Sequence, residues 1–261
     1  MRPAHEGAVA TCGACGVTFV TPPVDESGRT ADHGEGVVID ETGRGATFRQ
    51  VESLMRERLG GPGRVLDIGC GGGQFMLALE ELGWSVSGVD INPRAVALAR
   101  ERGLDVRLGT IADAVRPRDG FDAVVALHAL EYFARPLAAL DAAAASVRPG
   151  GVLALETPNV LWHRRQAAIG RLLRVDPARL MIVSPAPDRR LIAFSPKALT
   201  IALGNAGLVD VALLPAAPRA SGGAAERVVR RAILATAALV AGVSRERILA
   251  APSLVAVASR P

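Results

Sequence analysis

Two carboxylates at the ends of consecutive apolar runs carry the most chemical information in this chain. VLDIGCGGGQF (65–75) is followed by WSVSGVDINP (84–93), which puts Asp67 and Asp90 on either side of a glycine-rich turn. Val65, Leu66 and Ile68 read as a short buried strand, and Gly69, Gly71, Gly72 and Gly73 as a turn that leaves its backbone open to a ligand. A dinucleotide fingerprint needs a third glycine after two spacer residues, where this chain has Gln74, and that argues against NAD. Asp67 beside the turn would repel a pyrophosphate and attract an ammonium group. Asp90, at the end of the second strand, is placed to accept hydrogen bonds from both hydroxyls of a ribose. An amino acid joined to a nucleoside satisfies both carboxylates.

S-adenosylmethionine is such a molecule, and these two runs closely resemble the first two motifs of class I S-adenosylmethionine-dependent methyltransferases. The resemblance covers about residues 46 to 214, with a final strand near 253 to 258. FDAVVALHALEYFARP (121–136) looks like the family's fourth strand and the loop beyond it, and VRPGGVLALETPN (147–159) is similar to its turn and fifth strand. LIAFSPKALTIALGNAGL (191–208) resembles the helix and sixth-strand entry of a subgroup that includes ubiquinone-pathway O-methyltransferases and many sugar and natural-product methyltransferases. The resemblance implies cofactor contacts from Asp67, Gly69, Gly71, Gly73, Asp90, Ile91, Ile111 and Leu127.

Apolar periodicity and turn signals give the elements that must position these residues. Strands are expected near 64–68, 85–90, 104–108, 121–127, 151–156, 208–214 and 253–258, and helices near 73–82, 93–102, 134–147 and 196–206. Asn92-Pro93 and Ser195-Pro196 each pair a capping residue with proline at the first helical position. Alternating strands and helices imply a parallel sheet. The expected fold is α/β, a Rossmann-like, seven-stranded, mostly parallel sheet with helices on both faces, an antiparallel last strand and a helical insertion before it. The ligand then lies beyond the carboxyl ends of the strands. A chain of 261 residues accommodates one such domain, here 46–261, after an N-terminal arm over 1–45. Within it, 158–190 is expected to cover the substrate and 219–250 to form the insertion.

Sulfonium methyl transfer to a hydroxyl asks for positioning and a proton acceptor. Of four histidines, His5 and His33 fall in the arm, leaving His128 in the loop after the fourth strand and His163 in the expected cover. His128 is the first candidate base, with packing beside the cofactor as its other role. His163 stands next to Arg164 and Arg165, whose charges would keep it neutral. Glu131 is a further candidate, at a place where the family often has an acid. The family commonly continues with histidine, where this chain has Tyr132. A histidine often seen before the LIAFSP-like block is replaced by Arg190, so the base assignment is less secure than the cofactor motifs.

Charge is uneven, with a net of −6 over residues 1–156 and +10 over 157–261. The arginines between the fifth strand and the next helix suit an anionic small-molecule acceptor, or form a solvated basic face. The apolar run AILATAALVAGV (232–243), flanked by arginines from 227 to 247, is too short to span a bilayer. It suits packing against the sheet or a second subunit, with peripheral membrane contact as the alternative. Cys12 and Cys15 have metal-ligand spacing but form only half a zinc site, resembling the second half of a small zinc ribbon that precedes some relatives, so no metal centre is expected. Gly, Asp, Glu and Pro over 21–45 suggest a loosely ordered arm. Three cysteines and no charged-then-apolar leader favour the cytoplasm. Nucleic acid is not the expected partner, because LHALEY stands where amino-methylating enzymes show an Asn or Asp, Pro, Pro, aromatic motif, and few aromatics exist to stack on bases. A cofactor-binding protein that acts by interaction remains the other class.

Overall fold

The computed structural model describes residues 8–21, 44–114, 120–165, 190–217 and 251–261. The expected substrate cover beyond residue 165 and the expected insertion lie outside them, as do residues 22–43 of the arm.

The chain begins with a hairpin, β1 (Ala8–Thr11) and β2 (Thr18–Thr21), followed by α1 (Gly45–Leu59). Then come β3 (Arg64–Ile68), α2 (Gln74–Glu80), β4 (Ser85–Asp90), α3 (Pro93–Glu101), β5 (Val106–Leu108) and the short α4 (Ile111–Ala114). β6 (Phe121–Leu127) leads through a 3₁₀ turn (Leu130–Tyr132) to α5 (Pro136–Ser146) and β7 (Val147–Pro158). The remainder is β8 (Ile192–Ala193), α6 (Pro196–Asn205), β9 (Val209–Pro215) and β10 (Ser253–Ser259).

Seven strands form one sheet in the order β5-β4-β3-β6-β7-β10-β9. The pairings among β5, β4, β3, β6 and β7 are parallel, while β10 runs antiparallel to both β7 and β9. The order reverses between β3 and β6, so a crevice opens beyond their carboxyl ends. The two faces are filled mainly by aliphatic side chains, Leu66, Val124, Leu153 and Leu199 on one and Val65, Met76, Val125 and Val255 on the other. The sparse aromatics still matter, since Phe48 and Phe75 stack under α1 with centroids 4.8 Å apart. Alternation of sides along each strand explains why neighbours such as Val65 and Leu66 feed opposite cores.

β7 starts four residues before the strand expected from 151, because the chain passes from α5 into the sheet without a separate turn. A Cβ at Gly151 would lie 2.7 Å from the Asp122 carbonyl oxygen, so glycine permits this close approach. Residues 8–21 form a hairpin that β8 extends into a three-stranded antiparallel sheet, while the stretch whose composition suggests a loose arm lies almost wholly outside the described residues. Val20 and Ala193 bury their side chains in this small sheet together with Val160 and Leu191. The hairpin turn is tied to α6, because the Ser195 hydroxyl donates to the Cys15 carbonyl at 2.5 Å and the Lys197 ammonium to that of Ala14 at 2.8 Å.

Candidate active site

The glycine-rich turn works as its residue types imply. Gly69, Gly71 and Gly73 have φ of +70°, +56° and +81°, values that side chains disfavour. A Cβ on Gly69 would sit 2.6 Å from that of Ala129, and one on Gly73 would run into Leu104. The turn can therefore press against the β6 loop on one side and α3 on the other. Asp90 closes it, since its carboxylate accepts the Gly71 N–H at 2.9 Å and the Asn92 N–H at 2.8 Å. Asn92 in turn caps α3 by accepting the N–H groups of Arg94 and Ala95.

A cleft at this edge is lined by Gly69, Gly71, Asp90, Ile91, Ile111 and His128 from the sequence-derived set. Asn92, Gly109, Thr110, Ala129, Tyr132 and Phe133 also line it and had not been singled out as cofactor contacts. Thr110 is fixed because its N–H and hydroxyl both donate to Asp113 at 2.8 Å, which holds that carboxyl below its usual range. Three expected contacts stand behind the lining. Asp67 is buried in β3, Leu127 ends β6, and Gly73 caps α2.

Opposite the glycine turn the site is built from buried charge. His128 has φ of +58°, a left-handed backbone that a non-glycine residue adopts at a cost of about 1–2 kcal/mol. Its N–H donates to the Glu156 carbonyl at 2.8 Å. Its ring nitrogens lie 2.8 Å from Glu131 Oε1 and 3.0 Å from Glu156 Oε1. Arg44 donates to Glu156 Oε2 at 2.5 Å, and Arg190 Nε lies 3.6 Å from Glu131 Oε1. Arg44, Glu156 and Glu131 are all 2% exposed or less. Burial opposes the charge on His128, yet the two carboxylates outweigh it and raise its pKa. Burial likewise opposes the charge on Glu156, and His128 and Arg44 reverse that, bringing the carboxyl down to about 2.

His163 is not part of this cluster and does not line the cleft. It sits in a helical stretch over 160–165, where burial and then the Arg190 charge lower its pKa to about 4 against a hydrogen bond with the Pro252 backbone. Arg190 thus faces Glu131 and His163, and its guanidinium carbon stands 5.9 Å from the Tyr132 ring centre. Glu131 Oε2 is buried and has no hydrogen-bond partner among the described residues. Cys12 and Cys15 are unpaired thiols, and the described residues hold no group of three or more potential metal ligands.

Sequence reasoning missed Arg44 and Glu156. A carboxylate inside the apolar run VLALETP was a signal for Glu156, because an acid there must be paired if buried. Nothing around Arg44 distinguished it from other arginines. No helix among the described residues is long and apolar enough to cross a membrane.

Comparisons with known proteins agree with this fold. The methyltransferase domain family matches residues 43–213. The ubiquinone biosynthesis O-methyltransferase of Xanthomonas campestris pv. campestris (strain B100) is 40% identical over 103 residues, which are 37% of this chain and 43% of that protein. The chain therefore spans less than half the length of the curated relatives it matches. Among solved structures, a SAM-dependent methyltransferase from Archaeoglobus fulgidus is similar with a TM-score of 0.56 and 20% identity, covering 83% of this chain and 94% of the other. Magnesium protoporphyrin IX methyltransferase from Synechocystis PCC 6803, solved with bound SAH, gives 0.53 and 16%, covering 88% and 91%. At these identities the structures speak for the fold, which joins the glycine turn, the Asp90 tie and the family match across residues 43–213, well over half of the sequence. The chain belongs to the class I S-adenosylmethionine-dependent methyltransferases.

Proposed function

We propose that this protein methylates an oxygen atom of a small, anionic acceptor. The observation that carries the reading is the cleft itself, with backbone and Asp90 on one wall and His128, Tyr132 and Phe133 on the other. S-adenosylmethionine, when bound, supplies an electrophilic methyl group on a sulfonium. Asp90 would accept from the ribose hydroxyls with oxygen lone pairs beyond those used for Gly71 and Asn92. Gly69 and Gly71 would let the backbone approach the ligand, Ile91 and Ile111 would flank its base, and Asp67 and Leu127 would shape the floor behind them. A Cβ at Gly69 would already crowd that of Ala129, so at this point the wall can present only backbone to a ligand.

The acceptor's proton goes to water in this reading, because His163 does not line the cleft. His163, its pKa lowered to about 4 by burial and Arg190, is neutral at pH 7 but stands apart from the cleft, so no imidazole is free there to take the proton. That favours an acidic hydroxyl such as a phenol. His128 serves as a fixed polar wall, because both ring nitrogens are engaged by carboxylates. Glu131 orients His128 through one oxygen, while the other is buried and has no partner among the described residues. Arg190, half-exposed between Tyr132 and His163, is suited to an anionic group, and the net charge of +10 over 157–261 supports that sign. Oxygen as the methylated atom is supported by the curated relatives, whose names describe O-methyltransferases of ubiquinone biosynthesis.

Isothermal titration with S-adenosylmethionine and separately with NAD tests the first step. Micromolar binding of the former alone is expected, and binding of neither would remove the reading. Incubation with methyl-labelled cofactor and a panel of phenolic, carboxylate and phosphate-bearing acceptors, read by mass spectrometry, tests the second. Labelled product on nitrogen or carbon would overturn oxygen as the target.

A further inference from the structure

Arg44 and Glu156 do not line the cleft, yet they are among the most deeply buried charged residues described. Glu156 touches His128 twice, through its backbone carbonyl at 2.8 Å and its carboxylate at 3.0 Å. We propose that Glu156, itself held by Arg44, is a positioning residue that clamps His128 with Glu131 as an imidazolium and so fixes the acceptor-facing wall of the cleft. The proposal rests on the methyl-transfer reading of that cleft.

The imidazolium is the state in which both ring contacts are hydrogen bonds to ionised carboxylates. An ionised carboxylate only accepts, and a neutral imidazole carries one N–H, so bonds from both ring nitrogens to ionised carboxylates require both to be protonated. The groups facing the ring are Glu131 from the 3₁₀ turn, Glu156 from β7 and the Ser253 hydroxyl from β10 at 3.4 Å. Arg44 stands behind Glu156 and Arg190 behind Glu131. With the imidazolium, these five charges sum to +1, a sign that favours an anionic acceptor. The direction of the His128 shift agrees with this state.

Positioning is the consequence. The left-handed backbone at His128 persists only where its surroundings over-determine it, and one backbone bond plus two ring bonds do so. Ala129, Tyr132 and Phe133 follow directly and line the cleft. An imidazolium engaged at both nitrogens has no lone pair for the acceptor's proton, so His128 acts through place and charge rather than as a base.

The test is long-range ¹H–¹⁵N NMR of full-length, ¹⁵N-histidine-labelled protein between pH 6 and 9, with His128→Gln to assign the signal. The wild type is expected to show the near-equal nitrogen shifts of an imidazolium at pH 7.5. Glu156→Gln should lower the pH midpoint by at least one unit, a tenfold or greater loss of proton affinity, and give the separated shifts of a neutral ring. If that variant does not fold, Arg44→Met with Glu156→Gln removes the stranded charge as well and serves in its place. A neutral His128 in the wild type at pH 7.5, with a carboxyl carrying the proton instead, overturns the clamp. So does an imidazolium that the substitutions leave unchanged. Calorimetry with S-adenosylhomocysteine on the same wild-type sample separates the two readings. No binding overturns the methyl-transfer reading and the clamp's part in it, whereas binding with a neutral His128 overturns the clamp alone.

Discussion

The two walls of the cleft are made by opposite means. The wall proposed to hold the cofactor is assembled mainly from residues 68 to 92 with 109 to 111, using omitted side chains and a carboxylate that ties nearby backbone N–H groups. The wall proposed to face the acceptor presents His128 and is backed by residues 44, 131, 156 and 190, brought together as alternating charges with almost no water contact at three of them. A wall of local backbone tolerates loss of one bond because the turn is covalently short. A wall of distant buried charges does not, because each member left alone is an uncompensated ion.

That contrast predicts where substitution hurts most. Glu156→Ala strands Arg44 and removes one of the two carboxylates on His128, and should cost about 3–5 kcal/mol of stability in urea melts followed by circular dichroism. A loss under about 1 kcal/mol would show that water reaches the cluster and would erase the difference between the walls.

The pH dependence of stability is the next largest effect, and it has two limbs. His163 is depressed from 6.5 to about 4, so the unfolded chain binds its proton first and stability falls as pH drops from 6.5 towards 4, by up to about 3 kcal/mol. Glu156, depressed to about 2, adds a further loss below pH 4.5. His128 is raised, so its contribution is complete below 6.5 and is lost as pH climbs through its folded value. Urea melts across pH 3.5 to 9 should therefore peak near pH 6.5. His163→Gln should flatten the limb between 6.5 and 4 and leave the alkaline limb in place.

On the other wall, Asp90→Ala should weaken S-adenosylmethionine binding by about 2–3 kcal/mol through loss of charge-assisted hydrogen bonds, measured by calorimetry. Its effect on folding should be smaller than that of Glu156→Ala, since only the bonds to Gly71 and Asn92 are lost. The smallest change is at the hairpin. Ser195→Ala removes the cap of α6 and the bond to Cys15, and should lower stability by about 1 kcal/mol in the same melts.

How much of this was legible in the sequence follows the same division. The strand order around β3, β4 and β6 and the placing of Gly69, Gly71 and Asp90 at one cleft could be read because spacing along one short segment sets them, whereas Ile91 and Ile111 came from the family resemblance. Thr110 was missed because its place depends on a turn held by Asp113, three residues on, with no glycine pattern of the same strength. His128 was found by type and location, while its partners could not be, since the pairing of 44 with 156 is decided by how β7 and the entry to α1 meet. The hairpin at 8–21 was hidden for a similar reason. Its partner strand is two residues long and lies beyond residue 190.

Lysine usage gives the hairpin an experimental handle. Lys197 is the one lysine of the sequence, and its ammonium rests on the Ala14 carbonyl. An amine-reactive reagent therefore meets a single side-chain target, placed at the seam between the small sheet and α6. The rate at which that amine is labelled becomes a clock for the seam's opening, readable in intact protein without introducing any substitution.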